Sequence, residues 1–546
     1  MRNPLKQRLC AGALSLVLLL SAAPAARCVG SYLDVPEGHW AASYIESARQ
    51  YGIMEGMGGG MFGLGQTITR GQFAALLCKF FDWSPVDDGQ MAYTDVSPED
   101  WYYTDVATLY AQGVLDSGET AFRPNDNITR EEMAVLLVRA LGYTDLAEQW
   151  VGRSDCPFSD VTRNQGYITM AYDFGMVTGM EDGLFHPNGS ATREQAAAMM
   201  VRVYERYSSK VDWLHGFYAI SAYSQLSLTD SMDGVSVGWA KLELSEAGEP
   251  YINDQKINGN DWVKPEGAEE VRAHLSGAGV SCNLNVYGTD VNLLNTPEAR
   301  AASVQAMVSA AAGYDGLTID IEGLKEDNKE NFTALMTELR AALPADQTLY
   351  VCVQPNTWFN GYDFRVLGEL CDKVIMMAHD YEWSVPAYYV GTDKTENPGA
   401  PLTRIYDALR ALTDPETGVQ DRSKLALAIS IASVGLRVDE SGLLTSQTLY
   451  HPSPSTIITR LRQPDTQWGY SELYGTPYIY YTDEEGNRYR LWYEDARSVT
   501  DKIELARMFG INGISLWRLG NVPAYDDDGL NYDVWSAVLA QRAEPS

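Results

Sequence analysis

The sequence predicts an α/β fold, a (β/α)8 TIM-type barrel with an α+β insertion, preceded by an all-α region of three repeats. Three observations predict it. Residues 31–207 hold three copies of one pattern. After Tyr207, short apolar runs alternate with amphipathic helical stretches, the signature of parallel β/α units. Eight such runs fall over roughly the last 330 residues, a length that suits a barrel with insertions.

Taken in chain order, the first element is an export signal. Arg2, Lys6 and Arg8 form a basic start, residues 9–20 are apolar, and Ala23-Pro24-Ala25 is an A-x-A site, so a signal peptide over 1–26 is expected. The apolar run is too short to cross a bilayer, and no later segment reads as a membrane span. The net charge of −32 argues against a nucleic-acid or anionic-membrane partner, since either needs a basic surface. Cysteines 28, 78, 156, 282, 352 and 371 are scattered without a C-x-x-C pair, and free buried thiols are the expectation. There is no H-E-x-x-H or clustered His/Cys, so neither metal nor cofactor is expected.

The first repeat, 31–83, opens Y-L-D-V with Asp34, passes Trp40 and closes I-T-R-G-Q-F with Arg70. The second, 92–143, opens with Asp95, passes Trp101 and closes I-T-R-E-E-M with Arg130. The third, 156–207, opens with Asp160 and closes A-T-R-E-Q-A with Arg193, but has Gly166 where the others have tryptophan. Each closer places a Thr to cap a second helix, after a first helix and a Gly-containing loop.

In the last domain, 211–541, strands are predicted over His215–Ser221, Val235–Leu242, Ser281–Val286, Leu317–Glu322, Thr348–Gln354, Lys373–Ala378, Lys424–Ile431 and Gly513–Trp517. Helices are predicted between them, over Pro297–Ala312 and Asn328–Ala342 for example. The long gap before the last strand holds a predicted hairpin, 478–482 with 488–493. The fourth strand carries the chemistry. Residues 314–322 read Y-D-G-L-T-I-D-I-E, and strand alternation puts Thr318, Asp320 and Glu322 on one face. Two carboxylates on one face of an apolar strand invite a catalytic reading. Barrel enzymes place catalytic groups at the C-terminal ends of strands. Glu322, Gln354, His379-Asp380-Tyr381 and Trp517 all fall there.

These motifs resemble two families. The repeats resemble S-layer homology domains, which implies non-covalent anchoring to a secondary cell-wall polymer, often pyruvylated. On that resemblance Arg70, Arg130, Arg193, Asp34, Asp95, Asp160, Trp40 and Trp101 are expected to bind the polymer, a forked guanidinium near a helix N-terminus suiting a ketal carboxylate. The run D-G-L-T-I-D-I-E resembles the D-G-x-x-x-D-x-E signature of family-18 glycoside hydrolases. M-A-H-D-Y-E-W at 377–383, L-W-Y-E-D-A-R-S at 491–498 and G-I-S-L-W-R-L-G at 513–520 are similar to motifs of its bacterial spore-cortex glucosaminidase subgroup. The resemblance implies a retaining mechanism assisted by the substrate's acetamido group, with Glu322 as general acid/base and Asp320 orienting the acetamide. Substrate contacts are expected from Asp380, Tyr381, His379, Trp517, Gln354, Thr318 and Asp315. Three departures stand out. Thr318 replaces an inner Asp, His379 replaces a Tyr, and the S-x-G-G element of the third strand is absent, with Asn283-Leu284-Asn285 in its place.

The expected protein is therefore a secreted hydrolase at the bacterial cell wall or S-layer, acting on a β-linked N-acetylglucosamine-containing glycan. Peptidoglycan is favoured, with chitin or chitooligosaccharide second. The alternative is a non-catalytic carbohydrate-binding or structural envelope protein on the same barrel.

Overall fold

The computed structural model describes residues 32–543 except 87–88, 117, 151–152, 154, 220–221 and 526–528. The expected signal peptide lies outside the described residues. The described residues divide into two compact units, one up to Ser208 and one from Ser209 on.

Among the described residues the first unit is all-helical apart from isolated bridges. Each repeat is a helix, a loop and a second helix: Ala42–Gln50 with Arg70–Phe80, Tyr103–Ala111 with Arg130–Ala140, and Gln165–Asp173 with Arg193–Tyr207. Thr69 and Thr129 start the second helices with full capping boxes, closed by Gln72 and Glu132. In the third, Gln195 accepts from the Thr192 N–H. The residues just before these caps join the repeats in a ring. Ile128 N–H donates to the Ile68 carbonyl (3.0 Å), Ala191 N–H to Ile128 (2.9 Å) and Ile68 N–H to Ala191 (3.1 Å). All three side chains are buried, so the ring is dry and these backbone bonds are well protected. Gly166 has a local reason. A Cβ there would stand 1.9 Å from the Ala147 carbonyl, because the extra helix Thr144–Glu148 covers the spot.

The second unit is a closed barrel. Its strands are β1 (Trp213–Tyr218), β2 (Gly234–Leu244), β3 (Pro250–Asn253), β4 (Ser281–Gly288), β5 (Gly316–Ile321), β6 (Thr348–Val353), β7 (Lys373–Met376) and β8 (Leu425–Ser430). An inserted sheet follows, with β9 (Val434–Val438), β10 (Leu444–Tyr450), β11 (Gln467–Ser471), β12 (Thr476–Thr482) and β13 (Arg488–Trp492), before β14 (Gly513–Trp517). The main sheet runs β1-β14-β8-β7-β6-β5-β4-β2-β3, and β1 also pairs with β2, which closes eight parallel strands. β3 is an antiparallel addition to β2. All eight predicted barrel strands are present. The insertion is larger than the predicted hairpin, a five-stranded antiparallel sheet in the order β10-β9-β13-β12-β11.

The barrel is filled, not hollow. Phe217, Tyr350, Cys352, Ile375, Met377 and Ala428 pack in its interior, with Trp517 against them. The described cysteines are free thiols, and Cys78, Cys282, Cys352 and Cys371 are buried. No helix among the described residues is long and apolar enough to cross a membrane.

Candidate active site

β5 is buried along its whole length. Gly316 starts it because Thr348 lies against it; a Cβ would meet the Thr348 carbonyl at 2.1 Å. Asp320 is 2% exposed on the interior face, and Glu322 is the first residue past the strand, half-buried. Glu322 N–H donates to the Gly288 carbonyl of β4 at 2.9 Å, which fixes where its side chain leaves the barrel. Behind it, Gly323 N–H donates to Gln354 Oε1 (2.6 Å), and the Tyr362 hydroxyl donates to the Ile321 carbonyl (2.8 Å). Gln354 therefore shapes the turn that carries Glu322.

Burial raises the Asp320 carboxyl well above the usual range, and the Glu322 charge adds to it. Glu322 is raised too, by burial first; Asp380 adds to the rise and His379 opposes it. The two acids form one coupled pair that keeps a proton at higher pH than free carboxyls do. Tyr287 on β4 is pushed up to about 12 by burial and by the same two acids, so its hydroxyl stays neutral beside them.

The loop after β7 brings the other polar groups. His379 Nδ1 meets Asp380 Oδ2 at 3.0 Å, while its Nε2 is buried without a hydrogen-bond partner. Asp380 sits at φ +58, in the left-handed region that a non-glycine residue enters rarely. Burial would raise its carboxyl, but His379 and His451 hold it below its ordinary value. Tyr381 is buried, its ring 5.4 Å from Trp358. Trp517 lies at the end of β14, with Trp262 at 6.0 Å and the His379 ring parallel to it at 6.5 Å. Trp262 in turn stacks on Tyr287 at 4.7 Å.

Residues 291–521 match the model described as glycosyl hydrolases family 18, and 31–74, 92–134 and 157–197 match the S-layer homology domain. The barrel unit carries a family-18 glycosyl hydrolase domain. The unit before it carries three S-layer homology domains. Among curated relatives, an amylopullulanase of Thermoanaerobacterium thermosulfurigenes is 31% identical over 175 residues, 31% of this chain and 9% of that protein. The cortical fragment-lytic enzyme of Bacillus subtilis strain 168 is 24% identical over 238 residues, 42% of this chain and 52% of that protein. The chain thus spans about half or less of the length of these relatives. A solved structure, the spore cortex-lytic enzyme SleL of Bacillus cereus, superposes with a TM-score of 0.48 at 14% identity, covering 62% of this chain and 75% of that one.

Within the family-18 domain the predicted residues separate. Glu322, Asp320, His379, Asp380, Trp517 and Gln354 gather at the C-terminal ends of β5, β6, β7 and β14. Asp315 does not join them. It precedes β5, accepts the Cys282 N–H at 2.8 Å, and seven residues of extended chain put it about 23 Å from Glu322. The expectation of a substrate contact there is corrected: Asp315 clamps the far end of the barrel. Thr318 is wholly buried, and its hydroxyl meets Ser236 at 2.6 Å. The expected contact with substrate is corrected to one inside the barrel. Trp262, Tyr287 and His451 were not predicted. Trp262 and His451 come from stretches with no regular periodicity, which left no signal to read.

In the S-layer homology domains each opening Asp and each closing Arg has a structural partner. Asp34 accepts from the Phe62, Gly63 and Leu64 N–H groups at 2.7, 2.7 and 2.9 Å. Asp95 accepts from Phe122 and Arg123, and Asp160 from Phe185 and His186. The arginines reach across repeats in a cycle. Arg70 Nε donates to the Phe122 carbonyl (2.7 Å), Arg130 to Phe185 (2.8 Å) and Arg193 to Phe62 (3.0 Å), each guanidinium lying over the same Phe ring. Arg70 also pairs with Glu132 at 2.6 Å. Trp40 and Trp101 are 53% and 64% exposed. A cavity of about 240 Å³ opens beside Arg70, Arg123 and Arg139, with Asp116, Glu119 and Glu132 on its wall.

Proposed function

We propose that the barrel hydrolyses β-linked N-acetylglucosamine-containing glycan at the bacterial surface, with peptidoglycan favoured and chitin or chitooligosaccharide second. The observation that carries this is the buried Asp320–Glu322 pair at the end of β5, with both carboxyls raised. Burial keeps a proton on Glu322 at a pH where a free Glu has lost it, so Glu322 is fit to protonate the glycosidic oxygen. Asp320 lies deeper, inside the barrel wall, and is poorly placed to attack a sugar carbon. That supports a reaction in which the substrate's acetamide oxygen is the nucleophile and the configuration is retained. Asp320 then orients the acetamide N–H and balances the charge of the cyclic intermediate. His379 Nε2, buried and unpartnered, is the group available to the acetamide oxygen. Trp517 offers an indole face to the sugar's apolar face.

Peptidoglycan stands first because wall-anchoring repeats precede the barrel and a relative is a cortical fragment-lytic enzyme. The repeat unit is proposed to hold a secondary wall polymer at the cavity beside Arg70, Arg123 and Arg139, with exposed Trp101 as a separate candidate contact. The test compares the purified full chain with Glu322→Gln on peptidoglycan and on chitooligosaccharides. Products released by the wild type alone support hydrolysis. Equal silence from both, with glycan still bound, would leave a binding protein.

A further inference from the structure

On the family-18 reading of the site, we propose that Asn285 is a positioning residue whose side-chain N–H holds the Asp320 carboxylate in place while Glu322 acts. In the β4–β5 register Asn285 lies opposite Thr318 and Tyr287 lies opposite Asp320, so Asn285 and Asp320 are diagonal neighbours. Asn285 is wholly buried; its Oδ1 and Nδ2 complete no hydrogen bond of good geometry, and the group its amide acts on is the Asp320 carboxyl. Asp320 Oδ1 is buried and completes none either. Buried groups with incomplete bonds are costly and persist where a site needs them.

The other polar groups on that side of the barrel are committed elsewhere. Thr318 Oγ1 meets Ser236 Oγ at 2.6 Å, Ser236 Oγ meets His215 Nε2 at 2.8 Å, and His215 Nδ1 meets Ser515 Oγ at 2.8 Å. All four residues are fully buried. Burial, aided by Lys373, pushes His215 down to about 3, so this column is neutral. Asn283 donates to the Leu317 carbonyl at 3.3 Å and accepts from Thr348 at 3.0 Å. Thr318 stands in place of the inner Asp of the resembling signature, and its hydroxyl is turned away to Ser236. Asn285 is the buried amide left beside Asp320.

The electrostatics agree. The Asn285 amide lowers the proton affinity of Asp320, against burial and the Glu322 charge, which raise it. The other titratable groups facing Asp320 are Tyr287 from β4, Cys352 from β6 and Tyr362 from the loop beyond it. All three are raised by burial and stay neutral.

The experiment uses the full chain with Asn285→Ala, Asn285→Ser and Thr318→Val. It reads kcat, KM and the pH profile on chitooligosaccharide, together with the pH dependence of binding of a glucosamine thiazoline, shaped like the cyclised acetamide. Asn285→Ala is expected to lower kcat about 30-fold with KM within about twofold. It is also expected to move the acid limb of both profiles up by about one pH unit, because Asp320 loses its donor. Asn285→Ser keeps a donor and should recover most of the limb; it carries the test if the Ala variant does not fold, and a full-unit shift in it would overturn the proposal. An unmoved limb in Asn285→Ala overturns it too, as does an equal shift in Thr318→Val. A wild type that neither cleaves glycan nor binds the thiazoline removes the reading on which the proposal rests.

Discussion

The two units treat their charged motif residues in opposite ways. In the S-layer homology domains, Asp34, Asp95 and Asp160 have their oxygens filled by backbone N–H groups, and Arg70, Arg130 and Arg193 donate to carbonyls of another repeat. In the barrel, Asp320 Oδ1 and His379 Nε2 are buried with no completed hydrogen bond. A recurring charged residue whose bonds are complete builds the fold. A buried polar group whose bonds are missing is poised for something the protein lacks on its own. The sequence signal is equally loud in both places, so hydrogen-bond accounting is what tells them apart.

The sharpest way to break this contrast is at the acid. Glu322→Gln should lower kcat by about a thousandfold while leaving the melting temperature unchanged, as steady-state kinetics and calorimetry would show. A large loss of stability would mean that Glu322 builds the barrel instead. Asp34→Ala should do the reverse. It strips three backbone donors of their acceptor and should cost the repeat unit about 2 kcal/mol or more, with turnover of a soluble oligosaccharide unchanged. The pH dependence has a definite sign. Burial alone would raise the Asp34 carboxyl, but the Phe62, Leu64 and Gly63 N–H groups hold it below its ordinary value. Its contribution is therefore complete above the carboxylate's unfolded pKa and is lost as pH falls through the lower folded value. Thermal melts of wild type and Asp34→Ala should converge on acidification; melts that stay parallel would refute the linkage. His379→Phe is a smaller change. Activity should fall about tenfold, with stability equal or higher, because an unpaired buried nitrogen is removed.

Much of the barrel was legible because each strand is a compact apolar run bounded by loops. The outer strands of the insertion were not. Leu444–Tyr450 reads L-T-S-Q-T-L-Y and is largely exposed, so no apolar run marks it. At the site, strand alternation was enough to pair Asp320 with Glu322. It did not place Asp315, because a carboxylate before a strand and one at its end look alike until the strand's length separates them. Thr318 was read beside Asp320 from its shared face, but its hydroxyl answers to Ser236 on another strand, a contact 82 residues away in sequence. The cyclic reach of the arginines was hidden for the same reason: Arg193 meets Phe62 across 131 residues.

The weakest expected effect on stability tests the contrast from its other side. Trp101 is a motif residue of the repeats that the fold does not use, 64% exposed and touching the Tyr102 ring edge-on at 5.2 Å. If completed bonds mark structure, Trp101→Ala should change stability by no more than about 0.5 kcal/mol. Its exposed indole should instead matter to what the repeats hold. Retention of the full chain on purified cell-wall sacculi, measured by sedimentation, should fall several-fold for Trp101→Ala at unchanged melting temperature. In the third repeat the same position is closed by the Ala147 carbonyl over Gly166, so Gly166→Trp should unfold the repeat without adding affinity. A Trp101→Ala variant that binds sacculi like wild type would return that residue to the surface and leave the cavity beside Arg70 to do the holding.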